Sequence, residues 1–524
     1  MTPLQPICAQ DSLLWKDYDY LKTSDPWLTS QNAAGLTRLK TSHLSDATIS
    51  YSISNGGFVN YDQAGKSRTI DAGIESFYRL NKRSVIYGRL SYNNFAGKDM
   101  TGSAFVNPYR MPFDIVEDSL TNPGRKQRDT YNLIGAFGVD IYKGIALGIK
   151  IDYTAANYAK YKDLRHKNNM LDLILTPGIY IPIKDIANLG INYYYRRNTE
   201  SITFKTYGNA DRVYKSLVNY AAFIGKIEAF GEYGYTDANR EMPYFNEYTG
   251  IGMQAALNIT SHITWYNDFT FAKRHGYYGK KSSYTISYNQ HNSKEYTYNG
   301  QLAYKASRNR HELGWGLEVE NLKDYNNSYR SMTDPNTTAT YYEYYTPVKL
   351  SNKVWGDGYI AYTGYYGTQD MYSIWKLNAG LNFMFRKQTG YEYPYNRTQE
   401  IRSTELFARG ERNIPLKPGI LTAALGMSYK KGSGEIYKDG VMAAPSDKQT
   451  APAEMTAFLH REYQWLTAPQ YAVDAMAKYA FIFPKTRMKT YAKAGICYRR
   501  TSESDEYLEG KSHTTLSFAI GCTF

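Results

Sequence analysis

The sequence is most informative in what it lacks. No stretch of 18 apolar residues occurs, which excludes helical membrane spans. No proline-rich, glycine/serine-rich or charge-run linker interrupts the 524 residues, although a soluble chain of this length would divide into about two to four domains. Apolar residues make up 42 % and mean hydropathy is −0.57, with too little Leu, Ile and Val to fill a soluble core of this size. Gly-x-Ser-x-Gly, His-Glu-x-x-His, Cys-x-x-Cys and calcium-loop spacings are all missing. The eight histidines are scattered: His262 and His311 at expected turns, His166, His291 and His460 in expected loops, His43 near the start, His275 and His513 near strand ends. None has a nucleophile or acid placed to build a Ser–His–Asp site. They read as surface residues, and no enzyme, cofactor or metal centre is expected.

Cysteines number three. Ile7-Cys8-Ala9 before Gln10 reads as the tail of a signal peptide, with small Ala at the cut position. The charged start and apolar core of such a leader are missing, so residues 1–9 are taken as its remnant. Cys497 and Cys522 fall on adjacent expected strands but on opposite faces. A disulfide needs converging Cβ atoms, so none is expected.

Tyrosine, in contrast, is abundant: 54 residues, with 27 more Phe and Trp. An apolar ring with a polar tip suits a membrane–water boundary. Alternation is the second positive signal. In the last stretch Leu516, Phe518, Ile520, Cys522 and Phe524 share one face, and Ser517, Ala519, Gly521 and Thr523 the other. The same period of two recurs in Leu313, Trp315, Leu317 and Val319 and in Trp375, Leu377, Ala379, Leu381 and Phe383. Short turns are expected at 81–84, 143–144, 184–188, 260–262, 307–311, 368–371, 415–419 and 484–487. Longer loops are expected between them, at 159–168, 205–246, 277–293, 323–353, 386–398, 431–469 and 501–511. Short and long connections that alternate from end to end, joining strands of roughly 10 residues, predict a closed antiparallel transmembrane β-barrel. Eight short turns and nine outer connections give 18 strands, with 14 or 16 open. The expected organisation is a leader remnant over 1–9, a small helical plug over 10–45 and a barrel over 46–524, in the cell outer membrane.

The net charge is +13. Much of it is expected in loops at 125–128, 162–167, 280–281 and 430–431, as a solvated rim or as attraction to outer-membrane lipid and lipopolysaccharide phosphates. No nucleic-acid motif or groove-sized basic patch occurs. Arg89, Lys150, Asp152, Glu318, Glu320, Lys376, Arg386, Lys489 and Lys493 fall on the expected inner face, either pairing across a filled interior or lining a selective channel. In 453–466, Met455, Phe458, Leu459, Tyr463 and Leu466 form a helical stripe, read as a loop helix on the rim or as a lid.

In the N-terminal stretch Leu13, Leu14, Trp15, Tyr18 and Leu21 have helical spacing. Asp25-Pro26 reads as a helix cap and Gly35 as the stop. Asn32-Ala33-Ala34-Gly35-Leu36 resembles the Asn-Pro-Ala-Gly-Leu signature of the long-chain fatty-acid transporter superfamily, with Ala33 where Pro is usual. That resemblance implies a hatch inside the barrel, carried here by Asn32, Gly35 and Leu36, and would fit 14 strands. The whole chain resembles a Bacteroidota-type outer-membrane barrel of an uncharacterised family. Resemblance to other outer-membrane proteins implies that Phe518, Ile520 and Phe524 are read by the barrel-assembly machinery. The chain has no room for the roughly 22 strands of plugged outer-membrane transporters. Two functions follow: a porin-like channel or transporter for small or amphipathic molecules, or a structural barrel partnering a transport or secretion complex. A continuous pore would favour the first, and a lumen filled by the N-terminal segment and loops the second.

Overall fold

The computed structural model describes residues 14–117, 120–208, 211–231, 234–236, 242–369, 371–483 and 488–524. The leader remnant and Leu13 lie outside the described residues. Eighteen strands form one sheet in which every neighbour is antiparallel. The first, His43–Asn55, pairs with the last, Ser512–Thr523, over Asp46↔Thr523 to Asn55↔Thr514, so the sheet is closed and has no edge.

The period-two pattern explains which way each side chain points. Ile49, Leu133, Leu425, Phe518 and Ile520 are 54–67 % exposed on the outside, an apolar band that only lipid can cover. Small and polar residues alternate inward. The eight turns at one end span 80–83, 143–144, 184–186, 259–262, 306–308, 367–374, 417–418 and 483–488, the last largely outside the described residues. Short turns mark the periplasmic end.

The outer end departs from the expectation of uniformly long loops. The strands run far past the membrane, up to 23 residues in Gly419–Val441. Ile263–Ser282 and Thr285–Lys305 are joined by 283–284 alone, and Trp375–Glu392 and Tyr395–Leu416 by 393–394. Beyond the bilayer the outer face is wetted and the inner face packs on the folded-in loops, so the apolar alternation vanishes although pairing continues. For the same reason His166 and His291 are buried strand residues rather than loop residues, 4 % and 2 % exposed. Arg125 to Arg128 likewise belong to the strand Gly124–Tyr142, and Lys126 is buried.

The interior is packed at both ends. Two apolar clusters lie in the periplasmic half, around Leu36 and around Trp27. Two more lie at the outer end, around Phe113 and around Phe458.

Candidate functional site: a lumen closed at both ends

The periplasmic closure is the N-terminal segment. Asp17 caps the helix Tyr18–Thr23, Asp25 caps the 3-10 turn Pro26–Leu28, and Asn32 caps a second 3-10 turn, Ala33–Arg38. Each cap side chain accepts a backbone N–H that the turn leaves unpaired. The expected helix from Asp25-Pro26 to Gly35 is therefore corrected to two 3-10 turns, after a short α-helix over Tyr18–Thr23. Gly35 lies inside the second 3-10 turn because a Cβ there would sit 2.9 Å from the Trp27 ring.

Trp27 is 2 % exposed and meets the inward rings of Tyr180 and Tyr266 edge-on, at centroid distances of 4.8 and 5.5 Å. Asn32 is fully buried. Its Nδ2 donates to Ile179 O at 2.9 Å and to Gln254 Oε1 at 3.1 Å, while its Oδ1 accepts from Ala34 N at 3.1 Å. Opposite this turn, four consecutive strands present glycine. A Cβ would stand 2.6 Å from Ala33 O at Gly138, 2.0 Å from Ala34 N at Gly148, 2.4 Å from Asn32 Oδ1 at Gly178 and 2.8 Å from Asn32 Nδ2 at Gly190. The wall thus admits the turn only because these positions carry no side chain. Polar ties surround it: Lys22 Nζ to Glu75 at 2.8 Å, Arg79 Nη2 to Thr37 O at 3.0 Å, and Arg310 Nη2 to Thr23 O at 2.8 Å.

The outer closure is a lid of folded-in loops. A three-stranded sheet, Asp114–Glu117 with Lys215–Ala221 and Ile224–Ala229, lies beside the helix Thr456–Thr467. Phe458 stacks on Phe223 at 5.4 Å, and Tyr61 meets both rings. Charged residues fasten the lid to the wall. Arg110 reaches Glu318 and, at 2.8 Å, Asp357. Arg386 pairs with Glu462 of the helix at 2.7 Å. Arg274 Nη1 donates to Arg110 O at 3.1 Å and to Glu320 Oε1 at 3.0 Å, and Lys353 Nζ donates to Met111 O at 3.0 Å. Asp114 of the lid sheet is 5 % exposed and accepts from Ser103 Oγ at 2.6 Å. Burial pushes its carboxyl up to about 6.

Beneath the lid lies a cavity of 1040 Å³ lined by charged and aromatic groups together: Arg128, Arg499 and Glu318 beside Tyr109, Tyr248 and Trp465. Smaller cavities of 580 and 390 Å³ adjoin the N-terminal segment.

The nine sequence-predicted lumen residues do not form one ring. Glu318, Glu320 and Arg386 hold the lid. Lys150 donates to Gln31 Oε1 at 3.1 Å and Lys489 to Lys16 O at 2.8 Å, both on the N-terminal segment. Lys376 and Lys493 line the 390 Å³ cavity. Asp152 accepts from Asn132 at 2.6 Å within the wall, and Arg89 stands across from Glu75. Phe518 and Ile520 face lipid, while Phe524 exchanges two 3.0 Å backbone bonds with Ser45 beside the closing seam. Sequence reasoning missed Arg110, Glu462 and the glycine positions. The glycines were findable, since each falls on an inward position near a periplasmic turn.

No curated protein sequence matches the chain. Among solved structures it is similar to BauA, the ferric preacinetobactin receptor from Acinetobacter baumannii, at 8 % identity and TM-score 0.42 over 91 % of this chain and 80 % of that one. It is similar to the outer membrane transporter YddB from Escherichia coli at 8 % identity and TM-score 0.39, over 91 % and 81 %. It is similar to a Pseudomonas aeruginosa FadL homologue at 11 % identity and TM-score 0.34, over 98 % and 96 %. The closed 18-strand barrel with its lipid-facing band is an outer-membrane β-barrel protein. The model of a family of unknown function, DUF6850, matches residues 33–524, and the chain belongs to that family.

Proposed function

We propose that the barrel is a gated passage for small or amphipathic molecules, with the N-terminal segment as inner gate and the lid as outer gate. The observation that carries this reading is the 1040 Å³ chamber beneath the lid, with the N-terminal segment filling the periplasmic end and both elements tied to the wall by hydrogen bonds, ion pairs and side-chain packing. None of these contacts is covalent and none belongs to the barrel's strand ladder, so either closure can leave without rupturing the barrel. Aromatic faces alternating with Arg and Glu suit solutes with both apolar and polar parts. The Bacteroidota-type character, the exported precursor and the role of Phe518, Ile520 and Phe524 as an assembly signal belong with this reading.

The filled lumen also favours a second reading, a structural barrel that partners a transport or secretion complex. Flux of graded solutes into liposomes separates the two. A variant lacking 14–40 and carrying Arg110→Gln with Arg386→Gln should admit solutes that the unmodified barrel excludes. A folded variant that admits none leaves the partner barrel in its place.

A further inference from the structure

We propose that Lys273, Lys294 and Lys323 form a binding site on the outside of the barrel for a phosphorylated glycolipid headgroup of the outer leaflet. Lys273 and Lys294 are direct cross-strand partners. Both are exposed, and both lie on the lipid-facing side, in line with Phe269 and Phe271 on one strand and Tyr296 and Tyr298 on the next. Lys323, on the third strand, stands opposite Asn292 and therefore diagonal to Lys294. Directly opposed Cβ atoms are about 4.5–5.5 Å apart and diagonal ones about 7–8 Å, and like charges so placed destabilise a sheet.

Among the described residues nothing relieves this repulsion. The cross-strand neighbours on the far sides are Thr249, Asn321 and Asn352. Glu247, the nearest outward carboxylate by register, is taken by Tyr195 at 2.9 Å and His275 at 3.2 Å. Glu295 and Glu320 point into the lumen, where they line the chamber. Farther round the wall the same rows behave differently: Lys387 and Arg402 share Glu400, at 3.2 and 2.5 Å. The three lysines are thus a cationic patch with no counter-charge among the described residues.

Height identifies the source. Lys273 is eight residues along its strand from Trp265, near the periplasmic turn. In a tilted strand that is roughly 20 Å, close to the thickness of the apolar band. The Phe271–Tyr296 pair, rings 5.1 Å apart, lies one step below, as an interfacial aromatic girdle does. A lipid phosphate at that level carries the required charge, its acyl chains lie along the apolar wall beneath, and three ammonium groups supply up to nine donors.

Native mass spectrometry of the full barrel in detergent tests this, with diphosphoryl lipid A and its phosphate-free counterpart as probes. The unmodified barrel should retain lipid A and release the phosphate-free lipid. Replacing all three lysines by Gln should weaken retention about a hundredfold, at roughly fivefold per lysine. Replacing them by Arg should preserve it, and Lys387→Gln should leave it unchanged. Heat-modifiable migration on a gel establishes that each variant is a closed barrel. Equal retention of both lipids, equal retention by the Gln variant, or displacement of lipid A by an equimolar amount of inorganic phosphate would overturn the assignment.

Discussion

Gly148→Ala is the sharpest perturbation of the inner gate, because it changes neither the N-terminal segment nor the strand ladder. The added Cβ would stand 2.0 Å from Ala34 N and 2.3 Å from Ala33 C. Both are backbone atoms, so the turn must withdraw by more than an ångström to restore van der Waals distance. That movement breaks the 2.9 and 3.1 Å bonds from Asn32 to the wall, at roughly 0.5–1.5 kcal/mol each. It also begins to expose Leu36 and Trp27, each worth about 1.5–3 kcal/mol when fully released. A loss of about 3 kcal/mol is a conservative total, and it raises the released fraction roughly a hundredfold. Lys16, Lys22, Arg38 and Lys40 are trypsin sites within the segment, and cleavage tracks the open population when reclosing is fast. The variant should therefore be cut at these sites about a hundred times faster than the unmodified barrel. Gly135→Ala is the control on the neighbouring strand, since its Cβ would meet nothing within 4 Å. The reasoning is refuted if a closed Gly148→Ala barrel is cut no faster than the control, or if the unmodified barrel is already cut freely.

Other expectations follow from the same geometry. Leu381 faces lipid and Asn382 the lumen, where it donates to Glu405 at 3.2 Å, so Leu381→Arg should lower stability in urea-refolding titrations by about 2–4 kcal/mol and Asn382→Arg by far less; equal effects would place the register one residue off. Deleting Phe524 removes both backbone bonds to Ser45 and should lower the yield of protease-protected barrel in membranes. The lid should close more tightly in acid. Asp114, at about 6 when buried against an ordinary 3.8, binds a proton more readily in the closed state, so closure is fully favoured below about pH 4. It is weakened by up to roughly 3 kcal/mol as pH rises to 6 and is constant above that. Protease cleavage of the lid should rise over that interval and rise less steeply in Asp114→Asn, where the buried carboxyl of Asp62 still titrates.

The membrane-embedded part of the fold was legible because lipid outside and water inside impose one rule on every strand. Leu516 to Thr523 and Trp375 to Phe383 obey it, and the tight turns between such stretches fix the count. The strand extensions were not legible. From Asn289 to Glu295 both faces are polar, so the chain reads as loop even though the ladder there is unbroken. The lid was hidden for another reason. Phe223, Phe458 and Tyr61 converge from three connections far apart in sequence, and no local pattern announces that. Asn32 was singled out through a resemblance, and its pairing with Gln254 and its placement against Gly178 could not be seen without knowing which strands stand side by side at that height.

Planar-bilayer recording of four proteins tests the central claim most directly: the unmodified barrel, the barrel lacking 14–40, the lid-latch variant with Arg110→Gln and Arg386→Gln, and the two changes combined. Two gates in series block passage unless both are released. The account predicts that the first three stay closed and that the combined variant conducts. A combined variant that is heat-modifiable yet silent, or an unmodified barrel that conducts as an open pore, would contradict it.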